Sequence, residues 1–68
     1  MKNKIKVARA EKGMTQQQLA DAAGVSRQTI NAIESGKFVP STVLAIKMAQ
    51  IFEKSVEEIF QLEDKDFM

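Results

Sequence analysis

The sequence has no cysteine, no histidine, one proline and three glycines. Without thiols there are no disulfides and no thiolate zinc site, and without imidazole there is no His-ligated metal and no histidine general base. Serine, threonine and carboxylates are present, but no base stands beside a nucleophile in a pattern that assembles a catalytic set. The expectation is a protein that is not an enzyme and carries no cofactor or metal. No apolar run approaches the roughly 20 residues that cross a bilayer. The opening MKNKIKVARAEK also lacks a continuous apolar stretch of the secretory kind. A soluble, cytoplasmic protein without membrane insertion is expected.

What is present is small and unevenly charged. The 68 residues make one domain at most, and a chain of this size buries only about 60% of its unfolded surface, so association with a partner would add useful stability. The net charge is only +1, yet residues 1–40 hold seven basic groups against three acids while residues 41–68 hold three against six. A basic half facing one way and an acidic half facing the other suits a polyanion partner.

Helix punctuation recurs at short intervals. Asn3 is placed to cap a first helix ending at Gly13. Thr15 with Gln18 is a capping-box pair opening a second helix through Ala23, and Gly24 with Val25 makes a short break. Ser26 caps a third helix to about Ser35, stopped by Gly36. After Pro40, Ser41 caps a fourth helix over 42–52. Ser55 with Glu58 predicts a short fifth helix over 56–60. No stretch alternates with period two, so the reading is an all-α, compact five-helix bundle with no strand, followed by an acidic, frayed tail over 61–68.

The third helix carries the chemistry. At about 100° per residue, Ile30 and Ile33 share an edge while Arg27, Gln28, Asn31 and Ser35 spread over the other side, bordered by Ala32. An arginine can donate two parallel hydrogen bonds to guanine, and glutamine or asparagine can give and take with adenine, in a DNA major groove wide enough for one helix. Leu19 and the small Ala20 on the preceding helix allow close approach, and Gly24 permits the sharp turn. This is a helix-turn-helix over about 16–35, in which the second helix enters the groove and the first crosses the backbone. Gln16 and Gln17 at the start of the crossing helix are placed to meet phosphate.

Residues 16–35, QQQLADAAGVSRQTINAIES, resemble the helix-turn-helix of the phage repressor and Cro family, the xenobiotic-response-element-like regulators. The likeness continues through IESGK (33–37) and PS (40–41), and more loosely through 44–60. Ala20, Gly24 and Ile30 hold the family's small, turn and apolar positions. The resemblance implies a lambda-repressor-like fold, a phosphate contact at Gln16, and base reading by Arg27 and Gln28. It also implies that Asn31 and Ala32 complete the groove-facing surface and that Thr29 and Lys37 contact the DNA backbone.

Two further expectations concern packing. Arg9 and Glu34 both point inward on their helices, which predicts a partly buried structural ion pair holding the first helix against the third. On the fourth helix, Leu44, Ala45, Met48 and Phe52 form a core stripe, yet Val43, Ile46 and Ile51 add apolar groups beyond it. Either this surplus widens the core, or it joins Ile59, Phe60, Leu62 and Phe67 in a self-association surface away from the basic half. We take the second and expect a homodimer. The function expected is a sequence-specific, double-stranded-DNA-binding transcriptional regulator, a repressor, controlled by its level, its DNA occupancy or a separate regulatory protein. The alternative is an antitoxin- or adaptor-type protein-interaction module.

Overall fold

Serine and threonine hydroxyls open four of the five helices found among the described residues, 1–67, of this computed structural model; Met68, the end of the acidic tail, lies outside them. The helices are α1 (Ile5–Lys12), α2 (Gln16–Ala23), α3 (Arg27–Glu34), α4 (Thr42–Phe52) and α5 (Val56–Ile59). Thr15 Oγ1 accepts from the Gln18 amide at 3.0 Å while the Thr15 amide donates to Gln18 Oε1 at 2.9 Å. The same reciprocal box joins Ser55 and Glu58, and Ser26 and Ser41 cap α3 and α4 singly. Each cap satisfies a backbone donor that the helix itself cannot, worth about 1 kcal/mol.

The first helix starts differently from expectation. Lys4, not Asn3, is its backbone cap and lends no side chain. Asn3 is instead drawn into a strand, β1 (Lys2–Asn3), which pairs antiparallel with β2 (Phe60–Gln61), Lys2 opposite Gln61 and Asn3 opposite Phe60. Its Oδ1 still accepts from the Ile5 amide at 3.2 Å. This ribbon corrects the strand-free reading, and it ends α5 one residue early because Phe60 is extended.

The tail is likewise engaged. A 3-10 turn covers Asp64–Phe67, and the Met1 amino group lies 3.0 Å from Glu63 Oε1 and 3.2 Å from Asp66 Oδ2. Ion pairs Lys12–Glu53 and Lys54–Glu11 join α1 to the end of α4. The basic and acidic halves of the chain therefore meet through opposite charges at two places, the chain termini and the junction of α1 with the end of α4.

Ile5, Leu19, Ile30, Ile33, Met48 and Ile59 are fully buried, one or two from every helix, with Phe52 and Phe60 closing the centre. Burial of each such side chain contributes roughly 1.5–3 kcal/mol, so the core fixes the mutual placement of α2 and α3.

Candidate nucleic-acid interface

The turn between α2 and α3 is three residues, Gly24, Val25 and Ser26. Gly24 is left-handed at φ 74°, and its amide and that of Val25 donate back to Asp21 and Ala20 carbonyls. This is the paired closure that lets a chain leave one helix and enter another sharply. Ala20 is completely buried where the helices meet, so no side chain holds them apart.

On α3, Ile30 and Ile33 are buried while Arg27, Gln28 and Asn31 are exposed and Thr29 and Ala32 half-buried. Among the described residues, the α3 side chains engaged in hydrogen bonds are Glu34 and the Thr29 hydroxyl, the latter 3.0 Å from Ser26 Oγ. Arg27, Gln28 and Asn31 are left with their donors and acceptors facing solvent.

The far end of α3 is tied down from several directions. Arg9 donates to Glu34 through both Nε and Nη2, and through Nη1 to the Met14 carbonyl at 3.0 Å. Hydrogen bonding to Glu34 raises the pKa of the Arg9 guanidinium, which holds it firmly charged. Asn3 Nδ2 donates to the Ile33 carbonyl at 2.9 Å. The Ala32 carbonyl accepts from the amides of Lys37 and Phe38 at 2.9 and 3.2 Å and from Ser35 Oγ at 3.1 Å. The loop after α3 is thereby folded back against it, with Lys37 exposed.

Two residues expected at phosphate are already in use on the protein. Gln16 Nε2 donates to Glu34 Oε1 at 3.4 Å, and Gln17 Nε2 to Asp21 Oδ1 at 2.9 Å. A primary amide has two N–H donors, so each keeps one to offer. Asn3 was expected only as a helix cap, and its side-chain hold on the Ile33 carbonyl was not foreseen; Met14 was not singled out, since it serves Arg9 through its backbone carbonyl, which leaves no residue-type signal.

The apolar surface differs from expectation. Ile59 and Phe60 are buried, and Ile51 is half-buried against the core, because the turn into β2 carries Phe60 inward. Ile59 and Phe60 are thus not available to a partner. Val43, Ile46, Leu62 and Phe67 are exposed, and so are Phe38 and Val39, which the sequence reading passed over. Two large apolar residues in a loop just ahead of a proline were the signal that could have found them.

No helix among the described residues is long and apolar enough to cross a membrane. The family described as helix-turn-helix matches residues 5–59. Over 66 residues the chain is 46% identical to the HTH-type transcriptional regulator YgzD of Bacillus subtilis, covering 97% of this chain and 100% of that one. It is 53% identical to an HTH-type transcriptional regulator of Methanocaldococcus jannaschii over 66 residues, with the same 97% and 100% coverage. Its fold is similar to the crystal structure of the restriction-modification controller protein C.AhdI from Aeromonas hydrophila, at TM-score 0.75 and 28% identity over 82% of this chain and 85% of that one. An exposed Arg-Gln-Asn face on the second helix of a tight helix pair, matched along nearly the whole chain, places this protein in the Cro/C1-type helix-turn-helix family of DNA-binding transcriptional regulators, which are not enzymes.

Proposed function

We propose that this chain is a sequence-specific regulator that binds double-stranded DNA as a homodimer, lays α3 in the major groove, and represses by occluding a promoter. Arg27, Gln28 and Asn31 read base edges and Ala32 offers a methyl contact, while Gln16, Gln17, Thr29 and Lys37 hold phosphates and set register. Two copies related by a two-fold axis read half-sites about 34 Å apart, one helical turn. The observation that carries this reading is the set of three polar side chains on one face of α3, exposed and, among the described residues, without hydrogen-bond partners on the protein, while the start of that helix is capped by Ser26 and its far end is clamped by Arg9 and Asn3.

The test is selection of bound duplexes from a random DNA pool at physiological salt. A palindrome with half-sites about 10 base pairs apart is expected. Arg27→Ala should then cost roughly 1–3 kcal/mol on the selected site and relax preference at one position. Equal loss on selected and random DNA would remove Arg27 from the readers. Exposed Val43 and Ile46 favour a second reading, an antitoxin- or adaptor-type module that holds another protein. A pool that yields no enriched sequence, only weak salt-sensitive binding, would decide for it.

A further inference from the structure

We infer that Glu34 is a positioning residue for DNA contact: held by Arg9, its carboxylate turns the Gln16 side-chain amide so that an N–H, and not the amide carbonyl, is what a phosphate meets. The inference rests on the reading above, in which Gln16 at the start of α2 holds a phosphate. Gln16 Nε2 donates to Glu34 Oε1 at 3.4 Å, and Arg9 Nη2 donates to the same oxygen at 3.1 Å. One carboxylate oxygen at the end of α3 thus gathers the first residue of α2 and a guanidinium from α1.

A glutamine amide has two unlike ends. One is a carbonyl, which a phosphate repels; the other carries two N–H donors, which a phosphate attracts, and a half-turn about the last bond of the side chain exchanges them. An ionised carboxylate only accepts, so beside Glu34 the favoured arrangement puts Nε2 toward it. One N–H is spent on Glu34, and the same nitrogen keeps the second for DNA. Fixing this choice before binding removes an ordering cost that would otherwise be taken from the affinity.

A carboxylate alone would be a poor neighbour for DNA, since it repels phosphate. Arg9 cancels that charge: its Nε and Nη2 both bond Glu34, at 2.7 and 3.1 Å, and its Nη1 is anchored to the Met14 carbonyl at 3.0 Å. The Arg9 and Glu34 side chains are also largely buried, where a hydrogen bond is electrostatically stronger than in water. Gln17 supplies the contrast. Its Nε2 donates to Asp21 Oδ1 at 2.9 Å, but both residues are exposed, and there water competes for either end of the amide.

The test is a double-mutant cycle on DNA affinity. Gln16→Ala is made in the wild-type chain and in the pair variant Arg9→Met with Glu34→Leu, which leaves neither charge buried alone. Phe52→Leu, in the α4 core, controls for lost stability, and the Gln16 side-chain amide is followed by proton–nitrogen NMR in the free protein. Gln16→Ala is expected to weaken binding to the selected and random duplexes about tenfold in the wild-type background, and less than about threefold in the pair variant, whose own affinity is already reduced. Phe52→Leu should bind as the wild type does. One Gln16 Nε2 proton should lie downfield of its position in the denatured chain and move back in the pair variant. Equal losses for Gln16→Ala in both backgrounds would overturn the positioning and leave Gln16 on the phosphate. So would Gln16 amide protons of the folded wild type at their denatured positions, or a Phe52→Leu loss equal to that of the pair variant, since affinity would then follow stability. No loss for Gln16→Ala on either duplex would take Gln16 off the phosphate, and the inference would fall with it.

Discussion

Arg9 and Glu34 meet fork to fork, Nε to Oε2 at 2.7 Å and Nη2 to Oε1 at 3.1 Å, joining the first helix to the last residue of the helix proposed to read DNA. Their side chains are 14% and 9% exposed, dry enough that either charge left alone would be costly. Arg9→Ala or Glu34→Ala should each lower stability by about 3 kcal/mol, whereas the double variant Arg9→Met with Glu34→Leu should lose less than either single change. Urea unfolding of the three variants checks this. Single losses below about 1 kcal/mol would mean that water screens the pair as on an open surface.

Lys37 is exposed on the loop whose amides are bonded back to the Ala32 carbonyl of α3. Lys37→Ala is expected to weaken binding to the selected site and to random duplex alike, and to reduce the slope of log affinity against log salt by about 1. Titrations at several salt concentrations read both quantities; an unchanged slope would take Lys37 off the phosphate.

Gly24 and Glu53 occupy the same left-handed helix-end conformation, at φ 74° and 56°. A Cβ at Gly24 would meet nothing within 4 Å, so Gly24→Ala should carry only the backbone penalty, about 1–2 kcal/mol. Glu53 already bears that penalty. Glu53→Gly should raise the denaturation midpoint, since the relief exceeds what a fully exposed, solvent-screened ion pair with Lys12 contributes. A lower midpoint for Glu53→Gly would show that the pair outweighs the conformation.

Glu58 accepts from the Ser55 amide and is held below its usual 4.5 by that hydrogen bond. A carboxylate with a depressed folded pKa contributes stability that is complete above the unfolded value and is lost as pH falls through the folded one. Glu53, Glu63 and Asp66 are depressed as well, by Lys12, the Met1 amino group and the Glu63 amide respectively, and add in the same direction. The melting temperature should fall on acidification below about pH 4.5, and Glu58→Gln, which keeps an acceptor for the cap, should flatten that fall. Parallel pH profiles for the two proteins would argue against the cap as a source.

Local chemistry was readable before the structure. Thr15, Ser26, Ser41 and Ser55 act on residues three positions away, so their caps are written within a single turn of chain. The meeting of Arg9 and Glu34 was also foreseeable, because two inward charges of opposite sign on different helices have few other resolutions. The ribbon was not, since two-residue strands are too short to show alternation and their partner lies at the other end of the chain. Everything that followed from the ribbon was missed with it: the inward turn of Phe60, the early end of α5, the engaged tail and the meeting of opposite charges at the chain termini. The engagement of Gln16 by Glu34 depends on the pose of three helices at once, which no spacing encodes.

The eight residues of α3 make a rod of about 12 Å, and base pairs stack about 3.4 Å apart, so a helix used as proposed spans about four of them. Four fully specified pairs recur by chance about once in 256 positions and two such half-sites about once in 65,000, against roughly a million or more competing sites in a genome. A pair of these rods therefore addresses on the order of fifteen places per million base pairs, and singling out one promoter takes either adjacent copies of the site or a sequence-dependent bend between its halves.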